Sequence, residues 1–462
     1  NIYIAKGKYL GVPQIEGTNS SDSRANITPI LNPFEKTVPV GDLKLRMREI
    51  AEIPASDTKG DVKARINYLT HAGDDSKRLF VNDLRNYLYL IHKKKVSIYL
   101  PFKDYFEDFV DAPRLNSGFG FVAFHPEFKS NGKFYTVHTE AGDALQNKVA
   151  DYETSLKTQV HGVLTEWTAK RPKANTFKGT HRELLRVGFS TLLHGIQAIN
   201  FNPTAQKGSA DYAMLYISMG DGEENPNQTS RPQSLATHEA KIFRIDPSGN
   251  NSSNGNYGIP ADNPFILENN ALTEIWAMGI RNPHRMSWDP NTGKMFFSMI
   301  GENKIDAIYE GIKGANYGWN NREGAFVFDR ENPLYVTALP DNDKKYNYTY
   351  PIIQLDHDDS KALIGGYVYD GEKIPELRGK YLFGDIVYGP LFYTEAADLK
   401  TGAPAPPVYR VQLFNEKNEP TTFVKEVSHY YRADLKFGQD EAGEIYLLSK
   451  TNGKIYILES MN

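Results

Sequence analysis

Two histidine-centred segments of this 462-residue chain carry residue types suited to proton chemistry. Leu193-His194-Gly195 stands just before one apolar run, and Ser218-Met219-Gly220-Asp221-Gly222 closes the next. If the two runs pair as a hairpin, His194 and Asp221 emerge at the same end. A carboxylate that orients an imidazole makes it a competent general base near neutral pH. A capping histidine and a turn aspartate before glycine account for the same letters, so both readings stand at this point. The second segment is Gly279-Ile280-Arg281-Asn282-Pro283-His284-Arg285. Two arginines and a histidine beside an apolar strand are costly to bury unless paired. An arginine facing a channel suits an oxyanion or carboxylate, and an ion pair between neighbouring structural units explains it equally well.

Two further stretches are less specific. Leu355-Asp356-His357-Asp358-Asp359 offers hard oxygen ligands for Ca²⁺ beside a histidine. It lacks EF-hand spacing, and a solvated loop fits it too. Arg432-Ala433-Asp434 precedes the last repeat and is open to both readings. The chain has no Gly-rich phosphate loop, no H-E-x-x-H and no G-x-S-x-G.

These residues must be positioned by strands. An apolar-aromatic pair, a turn and a Gly-initiated aromatic strand recur along the chain. The copies are Val122-Ala123-Phe124-His125-Pro126 to Asn131-Gly132-Lys133-Phe134-Tyr135, Met286-Ser287-Trp288-Asp289-Pro290 to Thr292-Gly293-Lys294-Met295-Phe296-Phe297, and Leu435-Lys436-Phe437 to Ala442-Gly443-Glu444-Ile445-Tyr446. A looser copy runs from Ile199 through Pro203 to Ser218. The first three in chain order lie roughly 75 to 90 residues apart, which suits propeller blades with long loops. Repeated aromatic hairpins with little helical period predict radial β architecture, with function in the loops around a central channel. The 28 Tyr and 24 Phe suit half-buried strand faces.

Composition narrows the classes. A net charge of −4 argues against nucleic acid or an anionic membrane as the main partner. With no cysteine there is no disulfide framework, thiolate metal site or cysteine nucleophile. No apolar run reaches the ~18 residues of a membrane helix. The chain opens at Asn1 with no basic-then-apolar leader, and the expectation is a processed protein, periplasmic or secreted. Residues 1–62 carry turn formers and little alternation, so they read as an N-terminal arm on a body spanning 63–462. Strand-like runs are Arg78 to Val81, Tyr87 to Ile91 and Val96 to Leu100. Leu145, Val149, Tyr152 and Leu156, at spacings of three and four, predict a helix over Ala144 to Thr158. Gly222 to Thr237 is a long polar loop of the kind that is usually functional or mobile.

Taken together the segments resemble the glucose/sorbosone dehydrogenase family, the soluble quinoprotein six-bladed propellers. The matching stretches include Gly118 to Tyr135, Arg182 to His194, Tyr216 to Gly222, Glu274 to Pro290, Gly314 to Trp319 and Lys380 to Asp385. The resemblance implies an all-β, six-bladed β-propeller with four strands per blade. In the enzymes of that family a pyrroloquinoline quinone (PQQ) lies over a Ca²⁺ at the channel mouth. A histidine there takes the proton of a sugar hydroxyl while hydride passes to the quinone. Carried onto this chain, the resemblance makes His194 the base, Asp221 its orienter and Arg281 the stabiliser of developing charge. It places Asn116, Arg281, Asn282, His357 and Arg432 around the quinone, and Gly301 with Glu302 on the Ca²⁺ through backbone carbonyls.

The chain departs from that pattern in places. Asn116 stands where members can have Gln, Ala307 where relatives carry a carboxylate, and Val387 where some have Lys. Each lost charged hydrogen bond lowers cofactor affinity by about 1 kcal/mol or more. Three functions follow. One is PQQ-dependent oxidation of a small sugar or related alcohol, with an external electron acceptor. Another is a quinone-free propeller that binds a carbohydrate or a protein partner. The third is base-assisted elimination on a glycan.

Overall fold

The computed structural model describes residues 28–57, 62–111, 117–145, 148–222, 230–330, 332, 334–428 and 432–461, and the backbone of two short paired strands, Tyr3–Ala5 and Lys8–Leu10. The described chain is almost wholly strand and turn. Three antiparallel four-stranded units follow one another in chain order. They begin with Phe119–Phe124, Ile196–Phe201 and Pro283–Trp288. A larger sheet holds three more runs of four, beginning with Leu363–Val368, Leu435–Gln439 and Ile66–His71. The first strands touch in a closed ring: 66–71 on 119–124, then 196–201, 283–288, 363–368, 435–439, and back to 66–71. The starts of these strands, and the loops before them, therefore gather at one mouth.

Local sequence explains the hairpins. Gly132, Gly293 and Gly443, the glycines of the recurring cadence, take φ of 68°, 72° and 81°. An L side chain adopts that region only with strain, so the glycine fixes where each second strand begins. A Cβ at Gly132 would also come within 2.4 Å of the Ala169 carbonyl oxygen. Between the units the core is aromatic: Phe102 stacks on Phe119 and Tyr68 on Phe121, each pair with ring centroids 4.0 Å apart.

Two expectations need correction. Residues 40–52 are part of the body. Val40–Glu52 pairs antiparallel with Lys454–Ser460 and parallel with Tyr409–Phe414. Leu43, Leu45 and Met47 point into the core while Asp42 and Lys44 are exposed, the period-two pattern of an outer strand. The helix over 144–158 is also absent from the described residues there. Val149 is 85% exposed and Leu156 54%, so no apolar stripe faces a core. The segment instead lies along Gly179–Phe189, with Asp151 N–H donating to the Arg186 carbonyl at 2.9 Å. The expected strands near 78–81, 87–91 and 96–100 occur as Leu79–Asp83, Tyr87–His92 and Lys95–Pro101. Of the long loop 222–237, residues 223–229 lie outside the described residues, and Arg231–Gln233 forms a single 3₁₀ turn. No described helix is long and apolar enough to cross a membrane.

Candidate active site

His194 sits at the mouth, just before the strand Ile196–Phe201, and its backbone is left-handed at φ 52°. Its carbonyl accepts the Gly222 N–H at 3.2 Å, and the Gly195 carbonyl accepts the Gly220 N–H at 3.0 Å. This hairpin end brings Asp221 beside it, and His194 Nδ1 lies 2.8 Å from Asp221 Oδ1. A carboxylate acceptor places the ring proton on Nδ1, which leaves Nε2 as an acceptor. Among the described residues no group engages Nε2. Gly220 makes the approach feasible, because a Cβ there would come 2.6 Å from the His194 carbonyl oxygen and 2.9 Å from that of Arg281.

Asp221 also joins the second segment. Its N–H donates to the Arg281 carbonyl at 2.8 Å, and its Oδ2 accepts the indole N–H of Trp319 at 2.8 Å. Trp319 is 1% exposed, and the Arg281 guanidinium lies 5.6 Å from its ring centroid. Sequence reasoning used Trp319 only as part of a matching stretch. Its position 98 residues beyond Asp221 gives no spacing signal.

All three nitrogens of the Arg281 guanidinium are engaged. Nε donates to Glu302 Oε2 at 2.8 Å, and Nη2 stands 2.5 Å from the same oxygen. Nη1 donates to the Gly301 carbonyl at 2.6 Å and the Ile300 carbonyl at 3.3 Å. Asn282 is buried next to it, holds the Ile300 N–H on its backbone carbonyl at 3.1 Å, and has an unpartnered side-chain Oδ1. Glu323, which sequence reasoning missed, organises this loop from below. Its Oε1 accepts the N–H groups of Asn303, Lys304 and Ile305 at 2.9, 2.8 and 3.0 Å, while Oε2 is buried without a partner. Burial pushes the Glu323 carboxyl above the usual range against those three donors.

His357 reaches the same region. Its Nε2 is 3.7 Å from Asp306 Oδ1, the oxygen that accepts the Gly301 N–H at 3.0 Å. Burial lowers its pKa, the Asp306 carboxylate with Glu323 behind it raises it, and the balance is upward. Two of the three carboxylates beside His357 are structural. Asp356 accepts the Phe34 N–H at 3.0 Å, and Asp359 the Val38 N–H at 2.9 Å, anchoring the chain before Val40–Glu52. Arg432 pairs with Asp434 at 2.7 Å and makes no described contact with the His194 network. Asn116 lies outside the described residues.

A Ca²⁺ and a quinone place definite demands on the donor set. Ca²⁺ takes about six to eight oxygens. The Gly301 carbonyl and the Glu302 carboxylate are instead held by a guanidinium, which would repel a divalent ion at that place. No group of three or more His, Asp or Glu among the described residues is placed for a metal. The anionic edge of a quinone meets the same obstacle, since Nε, Nη1 and Nη2 of Arg281 are occupied and its charge is matched by Glu302. In this arrangement the residues do not fit the Ca²⁺–quinone pair.

Similarity to known proteins places the chain. It is 29% identical to the HIPL1 protein of Arabidopsis thaliana over 62% of this chain and 45% of that protein. It is 24% identical to the Hedgehog-interacting protein of Homo sapiens over 84% of this chain and 50% of that one. The chain thus spans about half the length of the curated relatives it matches. The fold is shared with the PQQ-bound form of an aldose sugar dehydrogenase from Streptomyces coelicolor, at a TM-score of 0.59 and 17% identity over 91% of this chain and 99% of that one. The sequence pattern of the family described as Glucose / Sorbosone dehydrogenase matches residues 75–456, and the chain belongs to that family.

Proposed function

We propose that the channel mouth is a carbohydrate site, which takes a sugar or related alcohol by accepting one of its hydroxyl protons on His194 Nε2. The observation that carries this is the 2.8 Å contact of His194 Nδ1 with Asp221, which fixes the ring with Nε2 as acceptor. Asp221 and Trp319 position the imidazole, and Arg281 with Glu302 walls the site as a neutral ion pair. Calorimetric titration with a panel of neutral sugars and polyols tests it. His194→Ala should weaken binding about tenfold, the size of one lost hydrogen bond. Equal affinities for both proteins would reject the site.

A second reading is oxidation of that hydroxyl with PQQ as hydride acceptor. The family membership and the oriented base favour it. It requires Arg281 and Gly301 to exchange their present partners for the cofactor. Incubation with PQQ and Ca²⁺, followed by assay with an artificial electron acceptor, should then give sugar-dependent turnover that His194→Ala lowers by about 10² or more. Absence of both turnover and a quinone absorbance band after reconstitution removes this reading and leaves the first intact.

For the architecture, we read the ring of six first strands as six blades, with Val40–Glu52 closing the last one and the described residues 28–39 lying before it as an arm. An experimental structure with any other number of blades contradicts this.

A further inference from the structure

Below the mouth, the channel gathers positive charge that nothing at the His194 site uses. His284 and Arg285 come from the first strand Pro283–Trp288, and Lys436 from the first strand Leu435–Gln439. Lys450 follows Ile445–Ser449, whose Ser449 pairs with Leu435, so both lysines flank one rung. Relative exposures are 5% for His284, 4% for Arg285, and 2% for each lysine. Arg285 crosses to the opposite units. Its Nη2 donates to the Asn67 carbonyl at 2.6 Å, and its guanidinium stands 5.5 Å from the Tyr68 ring and 5.2 Å from the Phe121 ring. Its remaining bond goes to the His284 carbonyl at 2.7 Å.

The charge balance is unusual. Arg285 bonds carbonyls and no carboxylate, and its Nε is buried without a partner, as is His284 Nδ1. Lys436 makes no hydrogen bond or ion pair among the described residues. Of the carboxylates within reach, Asp434 is held by Arg432 at 2.7 Å, and Asp83 accepts the Ser56 hydroxyl and the Arg85 N–H. A buried cation with no carboxylate bonded to it costs several kcal/mol, so Arg285 and Lys436 must shed protons or acquire a counter-ion. Burial, with the neighbouring cations, pushes Lys436 well below its usual range, and burial pushes Lys450 down to about 8. Arg285, also lowered by burial, to about 10, keeps its proton at neutral pH and its charge must be met.

We propose that Arg285, Lys436, Lys450 and His284 form a buried site for a small inorganic anion in the central channel, one layer beneath the mouth. The unpartnered Arg285 Nε and the Lys436 ammonium donate to the anion. Bound there, it restores the lysines to their charged form and ties the units that supply Pro283–Trp288 and Leu435–Gln439 to each other. The site stands independently of the carbohydrate reading, because no group is shared with it.

Bromide is the probe. Crystals of the full chain grown in sodium bromide at pH 7 should show an anomalous peak within hydrogen-bond reach of Lys436 Nζ and Arg285 Nε. In solution, exchanging gluconate for bromide at constant sodium should raise the unfolding midpoint saturably, by about 1 to 3 °C. Lys436→Met should abolish that dependence and leave the bromide-free midpoint equal or higher. If that variant does not fold, Lys450→Met carries the same comparison. Wild-type bromide crystals without the peak, or midpoints that follow ionic strength alike in both salts, overturn the proposal.

Discussion

Trp319 donates its indole N–H to Asp221 Oδ2 at 2.8 Å, while the other oxygen of that carboxylate holds His194 at 2.8 Å. A carboxylate gripped from both sides is held against rotation, so the orientation of the histidine ring depends on a tryptophan with no hydrogen bond to it. Trp319→Phe keeps a ring beneath Arg281 and removes the donor. We expect a loss of about 1 to 2 kcal/mol in stability from the weakened buried acceptor, and several-fold weaker sugar binding. Denaturant unfolding and calorimetry report the two effects separately. A change in stability alone would make Trp319 merely structural.

Gly220 is the steric gate to the same pair. A methyl group there would stand 2.8 Å from His194 Cβ and 2.6 Å from its carbonyl oxygen, so the hairpin end must shift. Gly220→Ala should cost about 1 to 3 kcal/mol, the usual range for overpacking. Binding should fall further than His194→Ala alone explains, because Asp221 and Arg281 move with the backbone. Wild-type thermal stability and affinity in this variant would contradict the packing.

The Arg281–Glu302 pair sets the electrostatics of the site. Glu302→Gln preserves shape and leaves the guanidinium uncompensated. Because Glu302 is 26% exposed, the cost should be modest, about 1 to 2 kcal/mol. The freed charge should favour anionic ligands, so competition by simple carboxylates such as acetate should appear in the variant and be weak in the wild type. Identical carboxylate affinities would show that Glu302 does not hold Arg281 in solution.

The cadence of aromatic pairs and glycines was legible because it is local: the turn glycines at 132, 293 and 443 carry their own conformational requirement. His194 and Asp221 were legible for the same reason, as the two ends of one hairpin. Val40–Glu52 was not, although its alternation is regular. Its partners Tyr409–Phe414 and Lys454–Ser460 lie at the far end of the chain, and nothing in a strand names its neighbour. The helix expected at 144–158 rested on spacing alone, and spacing of three and four arises by chance in a loop; here Val149 and Leu156 face water while Tyr152 packs on the core. Glu323 and Trp319 escaped notice because each acts on a loop remote in sequence. The pairing of Arg281 with Glu302 escaped because two charges 21 positions apart give no sign of contact.

Acid sensitivity follows from the buried histidines. His238 is 1% exposed, and its Nε2 lies 2.8 Å from the Gly188 carbonyl oxygen, which requires a proton on that nitrogen. Burial holds it below its ordinary value of 6.5, with the Glu239 carboxylate opposing only in part. A depressed folded-state value means that the unfolded chain takes up the extra proton first. The contribution of His238 is therefore complete above 6.5 and is lost progressively as pH falls below it. Unfolding free energy should drop between pH 7 and pH 5 by up to about 1.4 kcal/mol per pH unit for this group. His238→Gln keeps a donor for the Gly188 carbonyl and cannot titrate, so its profile should be flatter across that window. Parallel profiles for the two proteins would assign the acid sensitivity to other groups.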